Sequence, residues 1–306
     1  MSYKFTFRPI ARKFLQPLVT SYGNWEKREA IIISLTDEQG RVGWGEIAPI
    51  SWFGSETLEQ ALDFCHQLPQ TITQEIILAI PDELSACQFG FESALAKLQT
   101  EETFISHTLT YSGLLTAGEG VLNQWRGLWK QGYRTFKWKI GVGAIATELD
   151  IFHSLMHSLP PTAKLRLDAN GGLSCEQTKT WLETCDNHPD KIEFIEQPLP
   201  VEQFSQMLVL NECYTTAIAL DESVATLKQL TEVYHQGWRG IFVIKPAIIG
   251  SPSRLRNFCQ QYKIDAVFSS VLETEIGRQA ALQLAVELSA PNRAVGFGIN
   301  HFFVAE

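Results

Sequence analysis

Phe136-Lys137-Trp138-Lys139 places two lysines two residues apart between bulky apolar side chains. In a strand, residues two apart share a face, so both ammonium groups look one way while Phe136, Trp138 and Ile140 look the other. Working outward, short apolar runs keep ending on a charge: Arg166-Leu167-Asp168, Phe194-Ile195-Glu196, Ala219-Leu220-Asp221 and Val243-Ile244-Lys245. The steps from Lys139 through Asp168, Glu196 and Asp221 to Lys245 are 29, 28, 25 and 24 residues. A strand–helix unit needs about that length, roughly 30 residues or a little less. Five successive parallel strands would each present a charge at their carboxyl end. Closed into a barrel, those ends meet at one mouth, which is where such barrels carry out chemistry.

The remaining pattern fits that frame. Strands are expected near His107–Leu109, Thr135–Ile140, Lys164–Asp168, Ile192–Glu196, Ala217–Asp221, Gly240–Lys245, Asp265–Ser269 and Arg293–Gly296. Helices fill the intervals, among them Glu148–Ser158, Cys175–Asn187, Thr226–His235, Ser251–Tyr262 and Glu275–Leu288. Strands alternating with helices predict an α/β fold with a parallel sheet, and this many units predict a closed barrel, (β/α)7β and TIM-like, over residues 101–296.

The first part of the chain differs in kind. Tyr3, Phe5 and Phe7 alternate with polar residues, Ala30–Leu35 is an apolar run, and Arg41–Glu46 returns after the turn Asp37–Gly40. That is an antiparallel meander. Helices near Glu56–Leu68, with Ser55 or Thr57 as N-cap, and Pro81–Leu98 complete an α+β capping domain over residues 1–100. Residues 297–306, with Phe302-Phe303-Val304, are expected to pack back on it.

Bulk properties narrow the function. The chain of 306 residues is 45% hydrophobic and 19% charged, an ordinary globular composition that excludes wholesale disorder. A net charge of −9 argues against nucleic-acid or anionic-membrane partners, because phosphate binding needs clustered Lys and Arg. It leaves room for a small anionic substrate, since a bound cation inverts the local field. The N-terminus has no signal-like apolar stretch, and no long apolar window predicts a membrane span. Six scattered cysteines without a C-x-x-C pair read as reduced thiols of a cytoplasmic protein, not as a zinc site. Oligomeric state is left open.

At the expected mouth, Asp168, Glu196 and Asp221 supply hard oxygen ligands of the kind Mg²⁺ takes, with water or substrate completing the shell. A lone strand-end acid is as easily a helix cap; three in register with lysines on both sides argue for a metal. Lys137 and Lys139 face the lumen, because Phe136 and Trp138 must be buried. Neighbouring positive charge and desolvation are what turn a lysine into a base near neutral pH. Lys245 ends an apolar strand across the barrel and needs a partner or a task. Arg166 shares the inward face of Asp168 and either orients substrate or pairs with a barrel acid. Asn170 bonds near the site or serves the turn, with the turn favoured. Ser269 and Ser270 end the seventh strand and either bind a substrate carboxylate or cap a helix. Tyr22–Trp25 and Ile50–Gly54 are loops placed to close over the mouth or to pack at its edge.

Lys-x-Lys followed by Asp, Glu, Asp and Lys at successive strands resembles the enolase superfamily, over nearly the whole chain. Sites there use a Lys or His base with Mg²⁺ stabilising an enediolate. Further likeness lies in Arg28-Glu29, Gly43-Trp44-Gly45-Glu46-Ile47-Ala48-Pro49, Arg166-Leu167-Asp168-Ala169-Asn170 and Ser269–Gly277. Together these point to the branch that dehydrates a succinyl-bearing cyclohexadiene carboxylate to an arene on the way to menaquinone or phylloquinone. The resemblance implies that the substrate carboxylate binds Mg²⁺. Lys139 would take the proton beside it and return it to the departing hydroxyl. Lys245 would lie over the opposite ring face as a cation, and Lys137 would contact a carboxylate oxygen.

A racemase or epimerase of N-acylated amino acids or dipeptides would share this chemistry up to the enediolate, with Lys245 as second base. The epimerases carry an Asp-x-Asp pair after the eighth strand, where this chain has Gly296-Phe297-Gly298-Ile299-Asn300. Its Ile50–Phe53 loop also departs from the Pro-Gly-rich loop of the family. A barrel kept as a non-catalytic scaffold is the remaining rival, and the complete set of acids and lysines speaks against it.

Overall fold

The computed structural model describes residues 1–20, 23–99, 109–298 and 303. Its N-terminal sheet contains β1 (Ser2–Thr20), β2 (Gly23–Thr36), β3 (Val42–Ile47) and β4 (Thr71–Thr73), in the order β3-β2-β1-β4 and antiparallel throughout. Tyr3, Phe5, Ile31, Ile33, Leu35 and Ile47 turn one face of it into core. The helix Ser85–Gln99 lies on that face and approaches β3 so closely that a Cβ at Gly45 would sit 2.0 Å from the Gly90 carbonyl oxygen. The glycines of the Gly43-Trp44-Gly45 segment are therefore a packing requirement.

The meander is longer than its apolar pattern suggests. β1 and β2 run on as an exposed ribbon to the pairs Leu18↔Trp25 and Thr20↔Gly23, past a slip in register after Lys13. The first expected helix begins at Leu58, where Thr57 and Gln60 form a reciprocal cap; Ser55 instead accepts a hydrogen bond from the Ile50 amide at 2.7 Å. The second begins at Ser85, after a turn that occupies the residues from Pro81. The strand β4 and the helix Gln74–Leu78 were not anticipated.

The second sheet holds β5 (Ser112–Leu115), β6 (Thr135–Lys139), β7 (Lys164–Asp168), β8 (Ile192–Glu196), β9 (Ile218–Leu220), β10 (Ile241–Ile244) and β11 (Ala266–Phe268). All are parallel and neighbour one another in chain order. Two isolated bridges shut the ring: Val295 pairs with Tyr111 beside β5, and Gly296 pairs with Ser269 beyond β11. The fold is thus the TIM-like (β/α)7β barrel, with its eighth strand reduced to this two-residue staple.

One expected strand is displaced. His107 lies outside the described residues, Leu109 is not in a strand, and the first barrel strand starts at Ser112. Its signature is weak because Gly113 interrupts the apolar alternation of the short strand Ser112–Leu115.

Facing directions follow the alternation. Phe136, Trp138 and Ile140 are fully buried against the helices, with Trp138 edge-on to Trp181 at 6.1 Å between ring centres. Phe194, Ala219, Ile241, Val243 and Val267 form a separate apolar cluster that fills the inside of the barrel below the mouth.

Buried carboxylates stitch the two sheets together. Glu46 of β3 accepts from the amides of Thr274 and Gly277 and from the Thr274 hydroxyl, at the N-terminus of the helix Glu275–Leu288. Glu92 accepts from the Ser253 amide at 2.9 Å at the start of the helix Pro252–Tyr262. Anions at helix N-termini satisfy amides that have no partner within the helix. At the same seam, the buried Arg28 guanidinium of β2 donates to the carbonyls of Ala48, Pro49 and Val271. Burial lowers its pKa to about 10, against the pull of Glu46, Glu273 and Glu29.

Candidate active site

Strand register brings the expected residues together. Lys137 lies opposite Arg166, Lys139 opposite Asp168, and Asp168 opposite Glu196. The Lys137 ammonium donates to Glu196 Oε1 at 2.7 Å and pairs with Asp168 Oδ2 at 2.9 Å. Lys245 pairs with Asp221 and lies 4.0 Å from the centre of the Phe53 ring, a cation–π contact reaching down from the N-terminal loop. Lys139 is half-buried and has no hydrogen bond or ion pair among the described residues. The two lysines of one strand are therefore in opposite situations, one clamped by acids and one unengaged.

Electrostatics reflect the crowding. Burial works against the Lys137 charge, but Asp168, Glu196 and Asp221 outweigh it and raise the pKa above the ordinary lysine value. Burial raises Glu196, opposed by Lys137 and reinforced by Asp168 and Asp221. Burial likewise raises Asp221, opposed chiefly by Lys245.

The mouth carries a fourth acid that the sequence reading missed. Glu222 directly follows Asp221, and Asn170 Nδ2 donates to its Oε1 at 3.1 Å, while its buried Oε2 has no partner among the described residues. Burial raises its pKa, with Lys245 opposing. Gln197 was missed too. Fully buried and in a left-handed backbone conformation (φ 37°), it accepts from the amides of Asp221 and Ser223 and donates to Ser223 Oγ at 2.8 Å. It thereby ties the end of β8 to the end of β9. The signal was a polar residue sandwiched in Glu196-Gln197-Pro198, but its partners are 24 and 26 residues away.

Of the other expected residues, Asn170 fills both roles: its φ is 42° and its amide donates to Asp168 Oδ1 at 3.1 Å in the turn, while its side chain donates to Glu222 at the mouth. Arg166 donates to Glu193 Oε2 at 2.6 Å and lies over the Phe194 ring, inside the barrel and one layer below Asp168. Ser270 donates to Glu273 at 2.8 Å and accepts from the Leu272 amide, leaving the helix cap to Thr274. Ser269 Oγ has no partner among the described residues. Tyr22 lies outside the described residues, and Gly23–Trp25, expected as a loop, begin β2 because they pair with the end of β1; from that strand Trp25 meets Trp52 of the 50–54 segment edge-on at 5.0 Å.

As the side chains stand, no three His, Cys, Asp or Glu residues among the described residues are close enough to one point to hold a metal ion. The lysines sit between the acids in the manner of cations. The donor set itself fits a hard divalent ion: four carboxylates, mostly buried, face fewer ammonium groups, and one carboxylate oxygen is left unpaired.

Comparison with known proteins places the chain in a family. Residues 120–302 match the family model described as enolase C-terminal domain-like, and residues 15–98 match the MenC N-terminal domain. The chain belongs to the enolase superfamily and, within it, to the o-succinylbenzoate synthase family. It is 42% identical to o-succinylbenzoate synthase of Thermosynechococcus vestitus over 94% of this chain and 89% of that protein. It superposes on the crystal structure of o-succinylbenzoate synthase from Thermosynechococcus elongatus, complexed with Mg in the active site, with TM-score 0.92 and 39% identity over 99% of this chain and 95% of that one. The L-Ala-D/L-Glu epimerase of Bacillus subtilis shares the fold, at TM-score 0.81 and 21% identity over 98% of this chain and 90% of that one.

Proposed function

We propose that this chain is an o-succinylbenzoate synthase, a hydro-lyase that removes water from 2-succinyl-6-hydroxy-2,4-cyclohexadiene-1-carboxylate. The observation that carries the reading is the contrast on β6: Lys137 is occupied by Asp168 and Glu196, while Lys139, opposite Asp168, is left without a partner among the described residues. Asp168, Glu196 and Asp221 would hold Mg²⁺, which when bound offsets the negative charge that gathers on the substrate carboxylate. Lys139 takes the proton from the ring carbon bearing that carboxylate and passes it to the departing hydroxyl. The C–H electron pair becomes a ring double bond as the C–O bond breaks, giving an arene and water. Lys137 binds a carboxylate oxygen. Lys245, already over one aromatic ring, offers the same contact to the substrate ring.

In this reading residues 1–100 cap the mouth and residues 101–296 carry the chemistry. Ser269 would meet the succinyl carboxylate. A cytoplasmic location is supported by six free thiols, and among the described residues no helix is long and apolar enough to cross a membrane. The placement of Lys245 across the barrel from Lys139 supports a second activity, racemisation of N-acylated amino acids.

The test is incubation of the protein and Mg²⁺ with the cyclohexadiene substrate, followed by ultraviolet absorbance. Growth of the arene signal is expected. No arene, with α-deuterium exchange of N-acylated amino acids in D₂O, would replace the synthase with the racemase.

A further inference from the structure

A groove of about 720 Å³ opens beside the outer edge of the N-terminal sheet, away from the barrel mouth. Its walls are the helices Ser85–Gln99 and Glu275–Leu288, and its floor is apolar, with Ile32, Trp44, Ala280 and Leu284 among the lining residues. Trp44 is 49% exposed there and Val42 42%, which is unusual for side chains of that size.

The charges around the floor do not cancel. Arg256 and Glu287 neutralise each other through a short ion pair, and Glu92, which accepts from the Ser253 amide, keeps its negative charge, so with Arg8 and Lys97 the lining carries one net positive charge. Arg8 and Lys97 also line the groove and have no hydrogen bond or ion pair among the described residues. Arg8 lies directly across from Ile32, which pairs in turn with Glu46, two residues along β3 from Trp44. Residues two apart share a face, so Arg8, Ile32 and Trp44 stand on one side of the sheet.

We propose that this groove binds a small aromatic or alicyclic carboxylate, with its ring against the Trp44 indole and its carboxylate held by Arg8 and Lys97. An apolar concavity with a few convergent polar groups is how small-molecule sites are built, and its volume falls within the usual range of about 300–1,000 Å³. The uncompensated charge is positive, so the ligand is an anion. Val42 and Trp44 are the only large apolar side chains strongly exposed along it among the described residues, which is little area beside the roughly 800 Å² per partner of a standard protein interface.

The test is calorimetric titration of the full chain with 1-naphthoate, and with 1-naphthamide as the uncharged counterpart. Turnover is measured in parallel. Saturable binding at about millimolar Kd or tighter is expected for the acid and much weaker binding for the amide. Trp44→Ala and the pair Arg8→Gln with Lys97→Gln should each weaken the acid about tenfold while leaving basal turnover unchanged. Absence of saturable binding overturns the proposal. So does binding that these variants leave intact, because it then belongs to the barrel mouth. Equal affinity for acid and amide overturns the anion assignment. Self-association that Trp44→Ala abolishes would show that a second copy covers the groove instead.

Discussion

The barrel mouth and the seam between the two sheets both bury several charges, yet they hold them differently. At the seam, Glu46 faces fixed amides and the Arg28 guanidinium faces fixed carbonyls. These groups are satisfied by backbone that has nowhere to go. At the mouth, Asp168, Glu196 and Asp221 are satisfied by the tips of Lys137 and Lys245, flexible side chains that can exchange for another cation. Buried charge matched to backbone makes structure; buried charge matched to mobile ammonium groups makes a site.

The sharpest way to break that contrast is to neutralise one side at a time. Glu196→Gln should lower turnover by about 10³-fold or more and abolish binding of one Mn²⁺ per chain, followed by electron paramagnetic resonance, while the far-ultraviolet circular dichroism stays unchanged. Undiminished turnover would place the metal elsewhere. Arg28→Ala should do the reverse, removing about 3 kcal/mol of stability in urea denaturation by leaving three buried carbonyls without a donor. Glu46→Gln is the milder version: the amide keeps the shape but loses the charge at the helix N-terminus, for a loss of about 1 kcal/mol by the same measurement. If Glu46→Gln instead acted only on turnover, the seam would belong to the site.

A pH series sharpens the same comparison with a smaller effect. Burial raises Glu196 and Asp221 above their ordinary values of 4.5 and 3.8. A carboxylate raised in the folded state binds its proton more tightly folded than unfolded. Its stabilising contribution is therefore present below the ordinary value and lost as pH rises through the raised one. Added Mg²⁺ acts on the ionised carboxylates, so its increase of Tm should grow from about pH 5 to pH 8. A Tm increase independent of pH would mean that these acids are not its ligands.

Much of this was legible because the barrel repeats one chemical phrase. The strand Lys164–Asp168 and the helix Glu275–Leu288 have the limits their patterns predict, since an apolar run ending in an acid and an amphipathic run are local signals, although the cap expected at Ser269 or Ser270 falls to Thr274. Lys137 and Lys139 could be turned inward on paper because Trp138 between them had to be buried. The seam could not be read the same way. Glu46 and Thr274 are 228 residues apart, and nothing near either of them names the other. Gln197 and Glu222 stayed hidden behind the more conspicuous acids preceding them. The strand at Ser112 is only four residues long and Gly113 breaks its alternation, so it left little pattern to read.

The central claim is that Lys139, and not its clamped neighbour, moves the proton. The direct measurement is single-turnover dehydration of the cyclohexadiene substrate by Lys139→Ala under saturating Mg²⁺, with the fold checked by circular dichroism. A rate at least about 10³-fold below that of the unaltered protein is expected, with metal binding retained. Turnover within a few fold of the unaltered protein would contradict it.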